Sequence, residues 1–268
     1  MIKMIASDLD GTLLDSQKRL PEDLHDMIER LKEKNIIFVP VSGRAYARLY
    51  RQFEPDSDGM SFVCSNGCVV MHQGELIHCS AFEEDELRFV MKKVREVPGI
   101  HSCLCGIHTV YYEAPAEKYR KTLLEFFENI SCVDRLEDLI GTEPFTKVSN
   151  IDTLGVQENS FPKLKNLMNQ FSVADAGDNW LDVSPKKGDK GVGIRALCRK
   201  MNLHPDQIMV FGDFPNDLPM MTVTDNSWCM KNGHEEVKKV SNHITEWTND
   251  ENGVLRTIEK EILMKLDL

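Results

Sequence analysis

Four short segments hold the side chains best suited to chemistry in this chain of 268 residues. Asp8-Leu9-Asp10-Gly11-Thr12 places two carboxylates two residues apart, and its glycine lets the backbone turn tightly past whatever sits there; the same residues would also make a capped turn. Ser42-Gly43-Arg44 offers a hydroxyl and backbone N–H groups that can hold phosphoryl oxygens at a helix start, or simply cap that helix. Lys190-Gly191 puts an ammonium at the opening of another helix, where it is either a point charge for a phosphate or a surface lysine. Gly212-Asp213-Phe214-Pro215-Asn216-Asp217 carries acidic oxygens four residues apart, suited to an octahedral magnesium ion or to an ordinary turn.

The elements around these segments follow from apolar patterning. Lys3 to Ser7 is a short apolar run that stops at Asp8, the pattern of a buried strand delivering an aspartate at its carboxyl end. Pro21 opens a helix whose Leu24, Met27, Ile28 and Leu31 share one face and which Asn35 ends. Ile36 to Ser42 reads as a second buried strand, followed by a helical stretch to about Phe53. Ser61 to Gly67 reads as a third strand, and Val69 to Phe82 as a hairpin turning at Gln73-Gly74. Strand, helix, strand alternation predicts an α/β fold with a doubly wound parallel sheet, in which ligands bind at the carboxyl ends of the strands. Asp8 and Ser42 both fall at such ends.

Residues 83–183 change character. Helices are expected at about Glu83–Val97, Ala116–Ile130 and Ser160–Phe171, with a strand pair around Gly106 and strands near Thr146–Asp152 and Val173–Val183. Helices over an antiparallel sheet would make an inserted α+β unit able to hold its own core. The parallel pattern then returns, with a helix at Gly191–Met201, a strand at Gln207–Phe211 and shorter α/β pieces to Leu268. The expected division is therefore a discontinuous core domain, 1–82 with 184–268, and a domain of 83–183 between them.

Composition narrows the partners. With 43 acidic and 32 basic residues the net charge is −11, and no Lys/Arg cluster is present to neutralise a run of phosphates, so nucleic acid and anionic membrane are not expected. A small anionic substrate stays compatible, because one metal ion and one lysine can reverse the field inside a cleft. The residues from Met1 to Asp8 are too few for a signal peptide, and no apolar stretch reaches the length of a membrane span. Eight cysteines in apolar settings fit buried thiols and a reducing cytoplasm. His101, Cys103, Cys105 and His108 form the tightest candidate zinc group, although alternation on one strand explains them equally well.

In their order, Asp8–Thr12, Ser42–Arg44, Lys190-Gly191 and Gly212–Asp217 resemble the four motifs of the haloacid dehalogenase-like superfamily. An insertion lying between Ser65-Asn66-Gly67 and Lys190 resembles the Cof-type branch, with its α+β cap of the second class (IIB) on a Rossmann-like core. The resemblance covers essentially the whole chain, including Met230 and Asn252-Gly253-Val254, and departs from the family at Lys231-Asn232-Gly233. It implies a phosphatase acting on a small phosphorylated metabolite, with Asp8 as nucleophile and Asp10 as acid and base. It further implies magnesium held by the Asp8 carboxylate, the Asp10 carbonyl and Asp213, with Asp217 acting through water. The Leu9 and Gly43 amides, Ser42, Lys190 and Asn216 would surround the phosphoryl group, and Arg44 and Asn66 would stand near the rest of the substrate. Sugar phosphates, pyridoxal phosphate and flavin mononucleotide all remain open. A sugar phosphomutase and a phosphometabolite-binding protein without turnover are the alternatives, the second opposed by the intact set of Asp8, Asp10, Lys190 and Asp213.

Overall fold

The computed structural model describes residues 1–177 and 179–266. Residue 178, inside the span read as strands from Val173 to Val183, and residues 267–268, at the end of the last α/β stretch, lie outside the described residues. The first part of the chain forms strands β1 (Met4–Asp8), β2 (Ile37–Val41), β3 (Ser61–Cys64), β4 (Val69–His72) and β5 (Glu75–Cys79). The middle forms β6 (Ile100–Cys105), β7 (Val110–Glu113), β8 (Ile130–Val133), β9 (Lys147–Asp152), β10 (Phe171–Gly177) and β11 (Trp180–Pro185). The last part adds β12 (Ile208–Gly212), β13 (Ser227–Cys229) and β14 (His243–Ile244).

Two compact units result. One comprises 1–44, 49–78 and 189–268; the other comprises 79–188 together with 45–48. The changeovers fall at Cys79 and after Gly188, and β11 continues its ladder to Pro185, paired with Phe171.

The first unit is built on an eight-stranded sheet in the order β14-β13-β12-β1-β2-β3-β4-β5. Pairing is parallel from β14 to β3 and antiparallel between β3 and β4. β1 and most of β2 are buried on both faces, which is why they read as unbroken apolar runs. The helix at Leu24–Glu33 buries Leu24, Met27, Ile28 and Leu31 as its periodicity requires, and the chain leaves it through a left-handed Asn35 with φ 56°. It starts three residues after Pro21, one of the places where the structure departs from the sequence reading. Another is Ser65–Gly67, which is a tight turn and not the end of β3, because these three residues all have positive φ and cannot continue a pleated ladder.

The second unit contains a six-stranded sheet in the order β10-β11-β9-β6-β7-β8. Its sheet is mixed, not antiparallel: β7 and β8 pair in parallel, because residues 114–126 form a helical crossover between them. Alternation along the strands sends Leu104, Val148, Leu181 and Val183 to one face, where the helix Glu84–Arg95 adds Leu87, Val90, Met91 and Val94. The opposite face carries Cys103, Cys105, Tyr112, Ile151 and Trp180 under Leu123 and Phe127. The helix expected over Ser160–Phe171 is divided into short turns of three types, and the Asp152 carboxylate accepts the Ser160 amide at 2.9 Å where they join. Among the described residues, His101, Cys103, Cys105 and His108 do not gather as a group within reach of one ion. Burial pushes the Cys103 thiol up and the Cys105 thiol up to about 12, and the His101 ring packs on Tyr119 at 5.0 Å. Among the described residues, the metal-ligating groups that gather within reach of one ion are Asp8, Asp213 and Asp217.

The helix Lys190–Met201 lies so close to β3 that a Cβ on Gly193 would stand 2.4 Å from Val63 Cγ1 and 3.2 Å from the Gly67 Cα. Gly193→Ala should gain about 1 kcal/mol of helix propensity yet lose about 2 kcal/mol overall, because Val63 is buried and cannot yield. Urea denaturation measures the sign; a stabilised variant would show that the helix can shift freely.

Candidate active site

Asp8 is the last residue of β1 and only 6% exposed. The chain turns away through Gly11 at φ +78°, and the volume a Cβ would need there is occupied by Asp213, whose Oδ2 would be 2.3 Å away. β12 runs parallel to β1, with Phe211 paired to Ser7, so Asp213 emerges beside Asp8. Thr12 Oγ1 donates to Asp213 Oδ1 at 2.7 Å and ties the two strand ends together.

Lys190 enters from a third direction. It is the first residue of its helix, which Asp189 caps by accepting the Val192 amide at 2.8 Å. The lysine is 1% exposed, and its Nζ donates to Asp8 Oδ1 at 2.6 Å and to Asp217 Oδ1 at 2.5 Å. Asp217 is fully buried, and its other oxygen accepts the Asp213 and Phe214 amides at 2.9 and 3.0 Å. Carboxylate oxygens of Asp8, Asp213 and Asp217 lie within 4.8 Å of one another.

One ammonium cannot balance three carboxylates. Burial first, and the neighbouring Asp217 charge second, push the Asp8 carboxyl up to about 8 against the pull of Lys190. Burial likewise lifts Asp213 to about 6, opposed by the Thr12 hydrogen bond. Despite its burial, Lys190 is held charged by Asp8 and Asp217. An all-oxygen donor set with surplus negative charge fits a hard divalent cation.

The remaining expected residues form a second tier. Ser42 is buried, its amide donating to Val63 O at 2.9 Å and its Oγ accepting the Arg44 amide at 3.2 Å. The Asn66 side chain lies against Gly43 and accepts from Asn216 Nδ2 at 3.2 Å. Leu9 buries its side chain and accepts the Thr12 and Leu14 amides through its carbonyl. Asp10 stands apart from the buried cluster. Its half-exposed carboxylate meets Arg44 at 3.0 Å and Lys18 at 2.7 Å. Burial opposes ionisation there, but the Arg44 charge and the Lys18 hydrogen bond win and hold Asp10 below the ordinary carboxylate range.

Lys18 and Asn232 escaped the sequence reading. Lys18 lies eight residues beyond Asp10 in a loop, with no pattern to tie it to the site. Asn232, in the segment where the chain departs from the family pattern, donates to Gly11 O at 2.8 Å and accepts the Asn249 amide at 3.1 Å, buttressing the turn after Asp8. An asparagine within a turn was its one visible signal.

A family model described as haloacid dehalogenase-like hydrolase matches residues 5–258, and the chain belongs to that family. Within it, the chain is similar to an Escherichia coli 5-amino-6-(5-phospho-D-ribitylamino)uracil phosphatase, YbjI: 26% identity over 270 residues, covering 97% of this chain and 96% of the relative. The solved structure of SMU.1108c from Streptococcus mutans superposes with a TM-score of 0.81 at 25% identity, covering 98% of this chain and all of that one. The subclass IIB sugar phosphatase BT4131 shares the fold, with a TM-score of 0.76 at 20% identity over 97% of this chain and 98% of its own. No helix among the described residues is long and apolar enough to cross a membrane.

Lys190→Met strands two buried carboxylates. It should destabilise the metal-free protein by about 3 kcal/mol at pH 8 and by less at pH 5, where the stranded groups take up protons more readily. Denaturant titrations at the two pH values measure the difference, and equal losses would show that the lysine is not compensating charge.

Proposed function

We propose that this chain is a magnesium-dependent phosphatase of small phosphorylated metabolites in which Asp8 is the nucleophile. The observation that carries this reading is the buried Lys190 joined to Asp8 and Asp217, with Asp213 alongside. An Asp8 oxygen attacks phosphorus and the bond from phosphorus to the leaving oxygen breaks, giving an aspartyl phosphate. Asp10 gives its proton to the leaving oxygen and then takes one from the water that attacks phosphorus and releases Asp8. Pairing with Arg44 and Lys18 keeps Asp10 ionised in this structure, which suits the second step; the first requires that Asp10 take up a proton from solvent, which displacement of Lys18 by the entering substrate would favour. Lys190, Ser42, Asn216 and the Leu9 and Gly43 amides surround the phosphoryl oxygens.

Asp8, Asp213 and the Asp10 carbonyl would hold magnesium, which supplies positive charge that offsets the repulsion between carboxylate and phosphate. Asp217 has both oxygens engaged by Lys190 and by two backbone amides, which supports a role in holding Lys190 and the 213–217 loop, with any contact to the ion through water.

The unit of 79–188 is read as the cap domain, which chooses the substrate. Three of its arginines are paired within that unit: Arg95 with Glu113 and Glu137, Arg88 with Glu84, and Arg120 with Glu117. This pairing favours hydrolysis over a mutase, which needs a second phosphate anchor. All eight cysteines are free thiols, in support of a reducing, cytoplasmic setting.

Phosphate release should be measured from p-nitrophenyl phosphate and from a panel of sugar phosphates, pyridoxal phosphate, flavin mononucleotide and the phosphoribitylaminouracil used by the Escherichia coli relative. Turnover should require magnesium, stop with EDTA and fall by at least about a thousandfold in Asp8→Asn. No release across the panel would sink the reading.

Stability offers an independent check. Asp8 and Asp213 hold protons more tightly in the folded protein than in the unfolded chain, so folding takes up protons between about pH 4 and pH 8. Metal-free stability is therefore expected to fall as pH rises through that window. Magnesium, which needs the ionised carboxylates, should raise the thermal midpoint more at pH 8 than at pH 5. A shift of equal size at both would place the ion elsewhere.

A further inference from the structure

The turn Ser65-Asn66-Gly67 has three successive residues in the left-handed region, with φ of 50°, 53° and 93°. A non-glycine residue enters that region at a cost, and two in a row persist only where their surroundings hold them. Here the holding contacts reach the phosphoryl-binding segments. Ser65 and Asn66 donate their amides to Arg44 O and Ser42 O, both at 2.9 Å, so the turn is stitched to the Ser42–Arg44 loop. On its other side, a Cβ on Gly67 would lie 1.9 Å from Asp189 O and 2.9 Å from the Lys190 amide, so the turn presses against the start of the Lys190 helix. The Asn66 side chain completes the set. Its Oδ1 accepts from Asn216 Nδ2 at 3.2 Å, and its amide lies 3.2 Å from where a Gly43 Cβ would be.

Three of the four motif segments thus meet at this one turn, two of them at Asn66 and the third at Gly67. We infer that Asn66 is a positioning residue for the phosphoryl cradle: its amide orients Asn216, and its left-handed backbone sets the Ser42–Arg44 loop against the Lys190 helix. The inference rests on the phosphatase reading, and it replaces the expectation that Asn66 contacts the variable part of the substrate. A side chain whose acceptor is turned to Asn216 acts on the phosphoryl group that all substrates share. Losing it should then weaken every substrate alike, whereas a contact to the leaving group would weaken some and spare others.

The test separates amide from backbone. Asn66→Gly deletes the amide and tolerates the left-handed φ, whereas Asn66→Ala deletes the amide and strains the turn as well. Asn216→Ala removes the partner, and the Asn66→Gly, Asn216→Ala double variant closes a thermodynamic cycle. Two readouts are used: the affinity for inorganic phosphate in the presence of magnesium, by titration calorimetry, and kcat and KM for the substrate panel.

Asn66→Gly should weaken phosphate binding about fivefold, the loss expected for one oriented hydrogen bond. The double variant should bind no worse than Asn216→Ala alone, and kcat/KM should drop by a similar factor for every substrate. Asn66→Ala should be weaker than Asn66→Gly; if it fails to fold, the glycine variant carries the cycle. Wild-type affinity in Asn66→Gly, independent multiplying losses in the double variant, or a loss confined to certain leaving groups would each overturn the inference. A wild type that binds phosphate but releases none from any substrate removes the phosphatase reading alone, since the binding cycle still decides the role of Asn66. A wild type that binds no phosphate overturns both.

Discussion

Taking an ammonium ion out of water costs several kcal/mol unless anions meet it, and Lys190 is 1% exposed. Its two partners, Asp8 and Asp217, come from the end of β1 and from the loop after β12, so the lysine can be buried only where those two strands lie side by side. Much of the first unit follows from that requirement. The helix carrying Lys190 has to approach β3 closely, and a glycine stands at the point of nearest contact. The loop after β12 has to fold back so that Asp217 reaches inward, and the Asp213 and Phe214 amides hold it there. Removing one of the three charges would leave the other two without a balanced environment.

The same burial that requires the ion pair leaves the site over-supplied with negative charge. Lys190 answers for one carboxylate of three, and the rest is expressed as carboxyls whose proton affinity is raised. A divalent cation and the site are complementary in this sense: the fold creates a deficit of positive charge that such an ion would offset. Asp10, two residues from Asp8, has the opposite environment. It reaches out toward Arg44 and Lys18 and is kept ionised. Two aspartates two residues apart are thereby given opposite proton affinities by their surroundings.

Much of this organisation was legible in the sequence. Apolar runs buried on both faces identified β1 and β2, the spacing of Leu24, Met27, Ile28 and Leu31 identified the first helix, and both readings rest on local periodicity. The order of the four motifs identified the family, which the match over residues 5–258 establishes. Local reasoning failed where distant partners overrule propensity. Ser65–Gly67 looked like the end of a strand, and its three positive φ values come from contacts with Ser42, Arg44 and Asp189. The parallel β7–β8 pair and the divided stretch after Asp152 were missed because pairing direction and a capturing carboxylate depend on neighbours far along the chain.

Residue types and their spacing determined which groups are available for chemistry: a pair of aspartates, a hydroxyl loop, a lysine at a helix start and an acidic turn. They also determined that these groups lie at strand and helix ends, because patterning is a local property. Tertiary structure alone decided the environment of each. Lys190 and Asp8 are 182 residues apart in sequence and 2.6 Å apart in space. Nothing local distinguishes a lysine that will be buried between two carboxylates from one that will stay in water. Likewise, only packing decided that Asp8 would be surrounded by like charge while Asp10 met Lys18 and Arg44. Proton affinity follows from desolvation and from charges a few ångströms away, and those neighbours are brought together by the fold and not by adjacency along the chain.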